Sequence, residues 1–308
     1  MTAASAFVVV NYGSSALLRE NLVASVASCG PEFVVVVDNP TTDEERQRVR
    51  ALASEQGWSL VESGSNRGFG GGMNLGVARA QQLGAREFLL LNPDARIDGT
   101  AWETLRSRLT PDTLVAPRIV DGAGRRWFDG ADVYLSDGRT MGSSRRAERP
   151  QEEHWEWLTG ACLLIDDALW RQVGGFDEDY FLYWEDVDLS RRVVSAGGRL
   201  LVAHDAVAVH DEGGTHTEAT RAEAKSSTYY YHSIRNRLMF AVKHLDDAGV
   251  RRWSRSSVAA AKEVLLRGGR RQFLRPLGPL RAAYRGVRDG RRLVATYLRD
   301  RRDGDSPR

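Results

Sequence analysis

The amino-acid sequence predicts an α/β fold in which buried parallel strands alternate with helices. Short apolar runs such as Phe7 to Val10 and Phe33 to Val37 are separated by segments with apolar residues at helical spacing. Several of these runs stop at an Asn or Asp, at the end of the strand where ligands collect in open α/β sheets. The 308 residues, of which 42% are hydrophobic, are enough for one large core.

Four strands and the helices between them are predicted in the first part of the chain. A helix is expected around Leu17 to Val26, and another from Thr42 to about Gln56, where three acids favour the N-terminus. The carboxyl ends of parallel strands meet at one edge of the sheet, so the polar residues that follow them are expected to face one crevice. The strands cover Phe7 to Val10, Phe33 to Val37, Trp58 to Val61 and Phe88 to Leu91, and the polar residues are Asn11, Asp38 and Asp94.

The stretch Phe88 to Ile97 places a carboxylate directly after a buried strand. Pro93 ends the strand because it lacks a backbone donor and biases its predecessor toward an extended conformation. Asp94 is then in position to hold a metal or a polar substrate group. The alternative is an Asx-type turn in which Asp94 satisfies only local backbone donors.

A glycine-rich segment, Gly64 to Gly76, lies between the third and fourth strands. Its spacing is like that of a dinucleotide fingerprint, but such a fingerprint follows the first strand, and the Lys-Ser/Thr of a P-loop is missing. A flexible loop opening a helix, with Asn66, Arg67 and Asn74 pointing into the crevice, suits a nucleotide or pyrophosphate. The alternative is a segment that needs glycine for its backbone conformation.

The middle of the chain is expected to leave the sheet and return to it. Residues Asp112 to Glu153 are rich in Gly, Arg, Ser and Asp, which predicts a hairpin or a loop over a site. A strand from Trp155 to Ile165 and a helix from Asp167 to Val173 follow. A later strand, Leu200 to Val209, ends at His210, which is either a structural histidine or a metal ligand.

Acids and aromatic residues are concentrated between Gly175 and Leu189. In such a poorly solvated setting the pKa of a carboxyl rises toward the range of a general base. We assign that role to Asp186, and expect Asp188 to cap a helix or to pair with Arg191 or Arg192. The helical stretch from Tyr229 to Arg237 either reaches a diphosphate or acceptor, or is a packing helix with solvated arginines.

The C-terminal region is basic, although the whole chain has a net charge of +2. Residues 251–308 contain 17 Lys and Arg against 5 Asp and Glu. Basic amphipathic helices of this kind lie on anionic membrane surfaces, and a solvated helical face is the alternative. Nucleic-acid binding is disfavoured because no nucleic-acid motif accompanies the charge. No apolar run approaches the roughly 20 residues of a membrane span, and the N-terminus lacks a basic leader, so we expect a cytoplasmic location with peripheral membrane contact.

Taken together, the motifs resemble one family. They occur in the order Val10-Asn11-Tyr12, Val37-Asp38-Asn39, Asn66 to Gly76, Leu91-Asn92-Pro93-Asp94-Ala95, Leu158-Thr159-Gly160-Ala161, Gly174-Gly175-Phe176-Asp177, Trp184 to Leu189, and His210. Over about Phe7 to Phe240 this pattern resembles the family 2 inverting glycosyltransferases of GT-A fold, especially the bacterial rhamnosyltransferase-like branch. The resemblance implies a Rossmann-like mixed sheet flanked by helices. It also implies a catalytic domain at 1–245, followed by a basic helical extension at 246–308.

The resemblance also implies roles for individual residues. Asp186 would be the general base and Glu185 would orient the acceptor, while Asp94 and His210 would bind Mg²⁺ or Mn²⁺. The nucleotide and donor sugar would contact Asn11, Tyr12, Asp38, Asn66, Arg67, Gly68, Asn74, Asn92, Thr159 and Gly160. The acceptor or diphosphate would contact Trp184, Tyr230 and Arg235. Asn92 stands where the family often has the first Asp of an Asp-x-Asp motif, so we expect weak metal binding without the diphosphate.

The implied activity is transfer of a sugar, first of all L-rhamnose from dTDP-rhamnose, to a hydroxyl of a glycan or polyprenyl-diphosphate-linked acceptor in cell-envelope polysaccharide synthesis. A UDP-sugar is an alternative donor. A transferase that acts on a small-molecule natural product and a nucleotide-binding module without activity are alternatives for the function. A dinucleotide oxidoreductase is disfavoured by the place of the glycine segment.

Overall fold

The computed structural model describes residues 3–210, 226–267, 269 and 277–304. The strands are β1 (Ser5–Asn11), β2 (Phe33–Asp38), β3 (Ser59–Glu62), β4 (Glu87–Leu91), β5 (Ala95–Ile97), β6 (Thr113–Val120), β7 (Arg126–Phe128), β8 (Ala131–Tyr134), β9 (Thr140–Gly142), β10 (His154–Trp157), β11 (Cys162–Asp166) and β12 (Arg199–His210). The α-helices are α1 (Ser15–Leu17), α2 (Val23–Cys29), α3 (Asp43–Gln56), α4 (Gly68–Leu83), α5 (Gly99–Arg108), α6 (Asp167–Val173), α7 (Glu185–Ser195), α8 (Ser227–His244), α9 (Asp247–Arg255), α10 (Ser257–Arg267) and α11 (Leu277–Gly304). A π-helical turn, Leu18–Leu22, joins α1 to α2, and a 3₁₀ turn, Ser143–Glu148, follows β9.

Within the described ranges, nine strands form one mixed sheet in the order β3-β2-β1-β4-β11-β6-β12-β5, with β7 paired to β6. The four predicted strands, β1 to β4, are parallel to one another, which confirms the α/β prediction. Strand β11 is antiparallel to both β4 and β6 and makes the sheet mixed. Strand β1 is buried along its whole length, as expected for a parallel strand with helices on both faces.

The predicted excursion between Asp112 and Glu153 is wrong in its first part. Residues Thr113–Val120 form β6, which is paired with both β11 and β12 inside the main sheet. Strand β7 also stays in the main sheet, antiparallel to β6. The residues after it leave that sheet and form the β8 to β9 hairpin, to which β10 adds a third antiparallel strand. This small sheet contacts α7 through β10.

Local sequence signals define several helix ends. The Thr42 hydroxyl accepts a hydrogen bond from the backbone N–H of Glu45 at 3.2 Å and caps α3. Gly174 ends α6 as predicted, in the left-handed conformation with φ of 75°. Ser226 caps α8 by accepting a hydrogen bond from the backbone N–H of Tyr229 at 3.1 Å.

The glycine-rich segment is mostly helix rather than a flexible loop. Residues 70–72 and Gly76 lie inside α4, which packs on β1 and β2. A β carbon at Gly76 would lie 2.3 Å from Cγ1 of Val8, and one at Gly72 would lie 2.8 Å from Cγ2 of Val10. These glycines therefore let the helix approach the sheet, so close packing, which the sequence did not suggest, accounts for them.

The C-terminal helices pack on the rest of the chain. One buried cluster joins Val133 of β8, Phe240 of α8, Trp253 of α9 and Val294 of α11. The boundary predicted after residue 245 falls between α8 and α9, so side chains from both sides of it share this cluster. No helix in the described part of the chain is long and apolar enough to cross a bilayer.

Gly76→Ala is expected to destabilise the fold by about 1–3 kcal/mol, because its β carbon would overlap Val8 in a packed core. Gly64→Ala is the matched control, since a β carbon there meets no atom within 4 Å. Urea unfolding of both variants measures the difference. Equal unfolding midpoints for Gly76→Ala and the parent chain would contradict this account of the helix packing.

Candidate active site

A cavity of about 600 Å³ lies against the carboxyl ends of the central strands and extends toward α8 and α10. The predicted site residues that line it come from the turn after β4, the approach to β11, the start of α7 and the end of β12. They are Asn92, Asp94, Thr159, Gly160, Trp184, Glu185, Asp186 and His210. The fold therefore brings together four segments that are far apart in the sequence.

Asp186 stands in the first turn of α7 with its carboxylate held by backbone donors. Oδ2 accepts a hydrogen bond from the N–H of Gly160 at 3.0 Å, and Oδ1 accepts one from the N–H of Val187 at 2.9 Å. Burial raises the pKa of Asp186 to about 6, while the two backbone hydrogen bonds oppose the rise. At neutral pH the carboxylate is thus mainly ionised and able to accept a proton.

Glu185 lies beside Asp186 and is only 6% exposed. Burial raises its pKa well above the ordinary range, and the adjacent Asp186 charge raises it further. Within the described ranges, Oε2 of Glu185 has no hydrogen-bond partner. An unpartnered buried carboxyl at a cavity wall is available to bond a ligand hydroxyl.

The loop that leads into α7 is strained and is held by α8. Tyr183 and Trp184 have φ of 65° and 76°, in a left-handed region that costs a residue with a β carbon about 1–3 kcal/mol. Asn236 donates hydrogen bonds from Nδ2 to the carbonyls of Leu182 at 3.0 Å and Tyr183 at 2.9 Å. The Trp184 indole N–H also donates to α8, at 3.0 Å from the Ser233 carbonyl. Helix α8 therefore fixes the conformation from which Glu185 and Asp186 project.

Asp188 is fully buried and structural. Its carboxylate lies 2.7 Å from both Nε of Arg192 and Nε2 of His244, which confirms the predicted pairing with Arg192. Burial alone would raise the pKa of Asp188, but the His244 hydrogen bond and the Arg192 charge outweigh it and lower the pKa. Arg191 instead lies over the ring of Trp155, at 3.8 Å.

Asp94 and His210 form a close pair at another wall of the cavity. Oδ1 of Asp94 lies 3.0 Å from Nε2 of His210, and Nδ2 of Asn92 lies 3.5 Å from the same nitrogen. His210 is 4% exposed and packs against Trp127, with ring centroids 4.4 Å apart and the ring planes tilted by 46°. The carboxylate of Asp94 thus reaches across to His210, as the ligand alternative requires, rather than only closing a local turn.

The pair is chemically suited to a divalent cation, because carboxylate oxygen and neutral imidazole nitrogen are both ligands of such ions. In addition, Nδ1 of His210 is buried and lacks a hydrogen-bond partner among the described residues. The part of the chain that the structure describes contains no group of three or more His, Cys, Asp or Glu side chains arranged for a metal. Two protein ligands would therefore need further ligands from a substrate or from water.

Asn11 and Asp38 are neighbours at the ends of β1 and β2. They are paired in the strand register, and Nδ2 of Asn11 donates to Oδ1 of Asp38 at 2.7 Å. Asn66 accepts a hydrogen bond from the N–H of Gly68 at 2.9 Å, and Tyr12 is 58% exposed. None of these four lines the cavity, and their role in binding a nucleoside stays a prediction.

The amino-acid sequence is similar to those of known glycosyltransferases. No protein-family model matches the chain. The chain is 27% identical over 239 residues to the low-salt glycan biosynthesis hexosyltransferase Agl10 of Haloferax volcanii, which covers 75% of this chain and 73% of that protein. It is 28% identical over 269 residues to the N-acetylglucosaminyl-diphospho-decaprenol L-rhamnosyltransferase of Mycobacterium tuberculosis, with 75% and 84% covered.

Solved structures show the same fold. GalNAc-T7 with UDP, GalNAc and Mn²⁺ superposes with a TM-score of 0.57 at 15% identity, covering 78% of this chain and 48% of that longer chain. The mannosyltransferase PcManGT from Pyrobaculum calidifontis, in complex with GDP-Man and Mn²⁺, gives 0.54 at 17% identity, covering 97% and 86%. The solved structures show the GT-A fold, and the named relatives support a glycosyltransferase of family 2.

Two expected nucleotide contacts of the glycosyltransferase have other partners. Nη2 of Arg67 lies 2.6 Å from Oε2 of Glu178. Asn74 donates from Nδ2 to the Phe176 carbonyl at 2.9 Å and accepts from the Phe176 N–H at 2.9 Å. Neither side chain lines the cavity, and their contact with a nucleotide stays a prediction. They join α4 to residues 175–184, the acid-rich loop that precedes α7.

The expected acceptor residues on α8 are also displaced. Tyr230 is fully buried in a cluster with Ile234 and residues of α10 and α11, and Arg235 donates to Asn236 Oδ1 at 2.7 Å. The cavity of the glycosyltransferase is lined instead by Tyr229, Ser233 and Arg237, which the sequence analysis did not choose. Consecutive residues on a helix point about a quarter turn apart. Contacts with α10 and α11 determine which residues of α8 face the cavity.

Arg237 is not the solvated arginine that the packing alternative assumed. It is 3% exposed and donates to the Trp253 carbonyl at 3.1 Å and to the Ser256 hydroxyl at 2.7 Å, as well as to the Asp137 carbonyl. Burial lowers its pKa to about 10, against the opposing effect of nearby acids. A buried arginine held by carbonyls of distant segments leaves no local sequence pattern.

Glu185→Gln is expected to raise the melting temperature at neutral pH. Because the pKa of Glu185 is raised in the folded chain, that chain binds a proton which the unfolded chain releases, and stability falls as pH rises above about 4.3. Glutamine does not titrate, so the variant lacks this loss of stability at higher pH. The melting temperatures of the variant and the parent should therefore converge near pH 4 and diverge toward pH 8.

Thermal melts across that pH range test the expectation. Glu103→Gln, at an exposed position on α5, is the control and should follow the parent chain at each pH. A constant difference between Glu185→Gln and the parent across the whole range would contradict a raised pKa at Glu185.

Proposed function

We propose that this enzyme transfers a hexosyl residue from a nucleoside diphosphate sugar to a hydroxyl of a polyprenyl-diphosphate-linked glycan in cell-envelope polysaccharide synthesis, with inversion at the anomeric carbon. One observation carries the proposal: a carboxylate with a pKa of about 6 and the Asp94–His210 pair line the same cavity. The decaprenyl-linked rhamnosyltransferase among the relatives supports the lipid-linked acceptor and L-rhamnose, from a dTDP donor, as the first sugar to test.

Asp186 is the base in the proposed reaction. The acceptor hydroxyl enters the cavity beside the carboxylate, which takes its proton as the oxygen attacks the anomeric carbon. The bond from that carbon to the diphosphate oxygen breaks in the same displacement, so the configuration inverts and a nucleoside diphosphate leaves. The N–H groups of Gly160 and Val187 keep the carboxylate oriented during the transfer. The buried Oε2 of Glu185, which has no partner among the described residues, hydrogen-bonds the acceptor and orients it.

The donor is assigned to the strand ends. Asn11, Asp38 and Asn66 contact the nucleoside, and Thr159 with Gly160 bounds the donor sugar. A β carbon at Gly160 would lie 3.1 Å from Cε1 of Phe69 and 3.6 Å from Cβ of Asp186, so glycine lets the Phe69 ring pack tightly on this backbone beside the base. Asp94 and His210 would hold a divalent cation, Mg²⁺ or Mn²⁺. When bound, that ion supplies positive charge for the departing diphosphate.

Asp186→Asn is expected to lower turnover by about 10²–10⁴-fold, the usual contribution of a general base, while nucleotide binding is retained. In the parent enzyme, turnover should fall as pH drops below about 6, because protonation removes the base. Acceptor assays with a nucleotide titration separate the two effects. Asp179→Asn, on the exposed part of the same loop, is the control and should keep the activity.

Full turnover in Asp186→Asn would contradict the assignment of Asp186 as the base. If the parent chain binds the nucleotide but turns over neither lipid-linked nor free glycan acceptors, the result would favour the nucleotide-binding module instead.

Mn²⁺ is expected to bind weakly to the free protein and more tightly with the nucleoside diphosphate, because Asn92 contributes no charge beside Asp94. Calorimetric titration with and without nucleotide measures this. Asp94→Asn should remove the metal-dependent part of the binding. Tight Mn²⁺ binding without nucleotide would contradict the expectation.

Ligand-induced thermal stabilisation identifies the donor, since a ligand that binds only the folded state raises its apparent stability. UDP, dTDP, GDP and CDP sugars and NAD(H) form the panel, each with and without Mn²⁺. We expect a metal-dependent shift with one nucleotide sugar, and dTDP-rhamnose first. A shift with NAD(H) alone would favour an oxidoreductase.

A further inference from the structure

Helix α11 presents two different faces along its length. One face packs on α8 and α10, with Ala282, Ala283 and Val294 each less than 8% exposed. A β carbon at Gly286 would lie 2.9 Å from the Tyr231 carbonyl oxygen, so the two helices are in close backbone contact. The opposite face of α11 is open to solvent and contains a separate pattern of side chains.

Large apolar side chains are exposed at the start of that outer face. Leu277 is 82% exposed, Leu280 48% and Tyr284 67%. Their spacing of three and four residues places them in one stripe along the helix. A contiguous exposed apolar stripe is unfavourable in water and marks a surface that contacts another phase or molecule.

Arginines lie beside the apolar stripe and continue past it. Arg281, Arg285, Arg288 and Arg292 are exposed and again spaced by three and four residues. From Leu277 to Arg301 the helix contains seven arginines and two aspartates. One of these acids, Asp289, lies 2.8 Å from Arg288 and 3.7 Å from Arg292, and the helix still carries an excess of five arginines over aspartates.

We propose that this outer face of α11, formed by Leu277, Leu280, Arg281, Tyr284, Arg285 and Arg288, docks on an anionic phospholipid surface. The helix would lie parallel to the membrane, with the leucines and the tyrosine among the acyl chains and the arginines at the lipid phosphates. A nucleic acid would match the arginines but would leave the leucines in water. A second copy of the face would cover the leucines but would set arginine against arginine.

The inference extends the proposed function without depending on it, because it rests on the surface of α11 alone. Flotation of the full chain with vesicles of phosphatidylglycerol and phosphatidylcholine tests it, with pure phosphatidylcholine vesicles as the reference. The chain should float with the anionic vesicles only. Arg281→Ser with Arg288→Ser, and separately Leu277→Ser with Tyr284→Ser, should each lower the partition coefficient by about tenfold or more.

Matched controls come from exposed positions on the neighbouring helices. Val258→Ser, at a side chain that is 60% exposed on α10, and Arg255→Ser with Lys262→Ser should leave flotation unchanged. Turnover on a water-soluble acceptor, measured in the same variants, separates a failure of membrane docking from a failure of the transferase assignment.

Three outcomes would overturn the proposal. The first is equal flotation of the parent and both test variants. The second is sensitivity to the arginine variant alone together with binding to nucleic acid, which would identify a general polyanion surface. The third is a dimeric mass in solution that becomes monomeric in Leu277→Ser with Tyr284→Ser, which would identify self-association.

Discussion

The hydrogen bonds from Asn236 to the carbonyls of Leu182 and Tyr183 are the contact on which the candidate site depends. They hold a pair of non-glycine residues in a conformation that each would otherwise leave, at a cost of about 1–3 kcal/mol per residue. Helix α7 begins directly afterwards, so this turn sets where Glu185 and Asp186 stand. Asn236 is completely buried, and an apolar substitute would leave both carbonyls without a donor.

The pKa values of Asp186 and Asp188, both in the first turn of α7, shift in opposite directions because the two carboxyls have different neighbours. Asp188 faces Arg192 and His244, and these positive partners overcome the effect of burial on its pKa. Asp186 is held by neutral backbone N–H groups, so burial prevails and its pKa rises to about 6. One short helix turn thus contains both a carboxyl whose pKa is lowered and a carboxyl whose pKa is raised to about 6.

The sequence was sufficient for the parts of the fold in which one local pattern decides the structure. The apolar runs of β1, β2 and β4 and the polar residues after them were predicted because parallel strands covered on both faces are continuously apolar. Strand β6 was missed because the Gly, Arg, Ser and Asp content of residues 112–153 indicated an excursion from the sheet, and Pro117 is itself unusual in a central strand. The structure tolerates it where the register with β12 shifts, between Ala203 and Val207, so the compensating irregularity lies more than 80 residues away along the chain.

The site was predictable to the extent that strand ends and the acid-rich loop specify it. Asp94, Asp186 and His210 line one cavity as expected. The choice between Tyr229 and Tyr230, and the burial of Arg237, depend on how α10 and α11 pack against α8. Such packing is set by shape complementarity between distant segments, which no local periodicity encodes.

Helix α8 bears Asn236 against the acid-rich loop and the backbone of Tyr231 against Gly286 of α11. The loop that leads to Asp186 and helix α11 therefore both contact α8. If the chain docks on a membrane through α11, the packing on α8 relates the height and tilt of the cavity to that surface. The distance between the membrane surface and the Asp186 carboxyl then limits the length of the acceptor that can react.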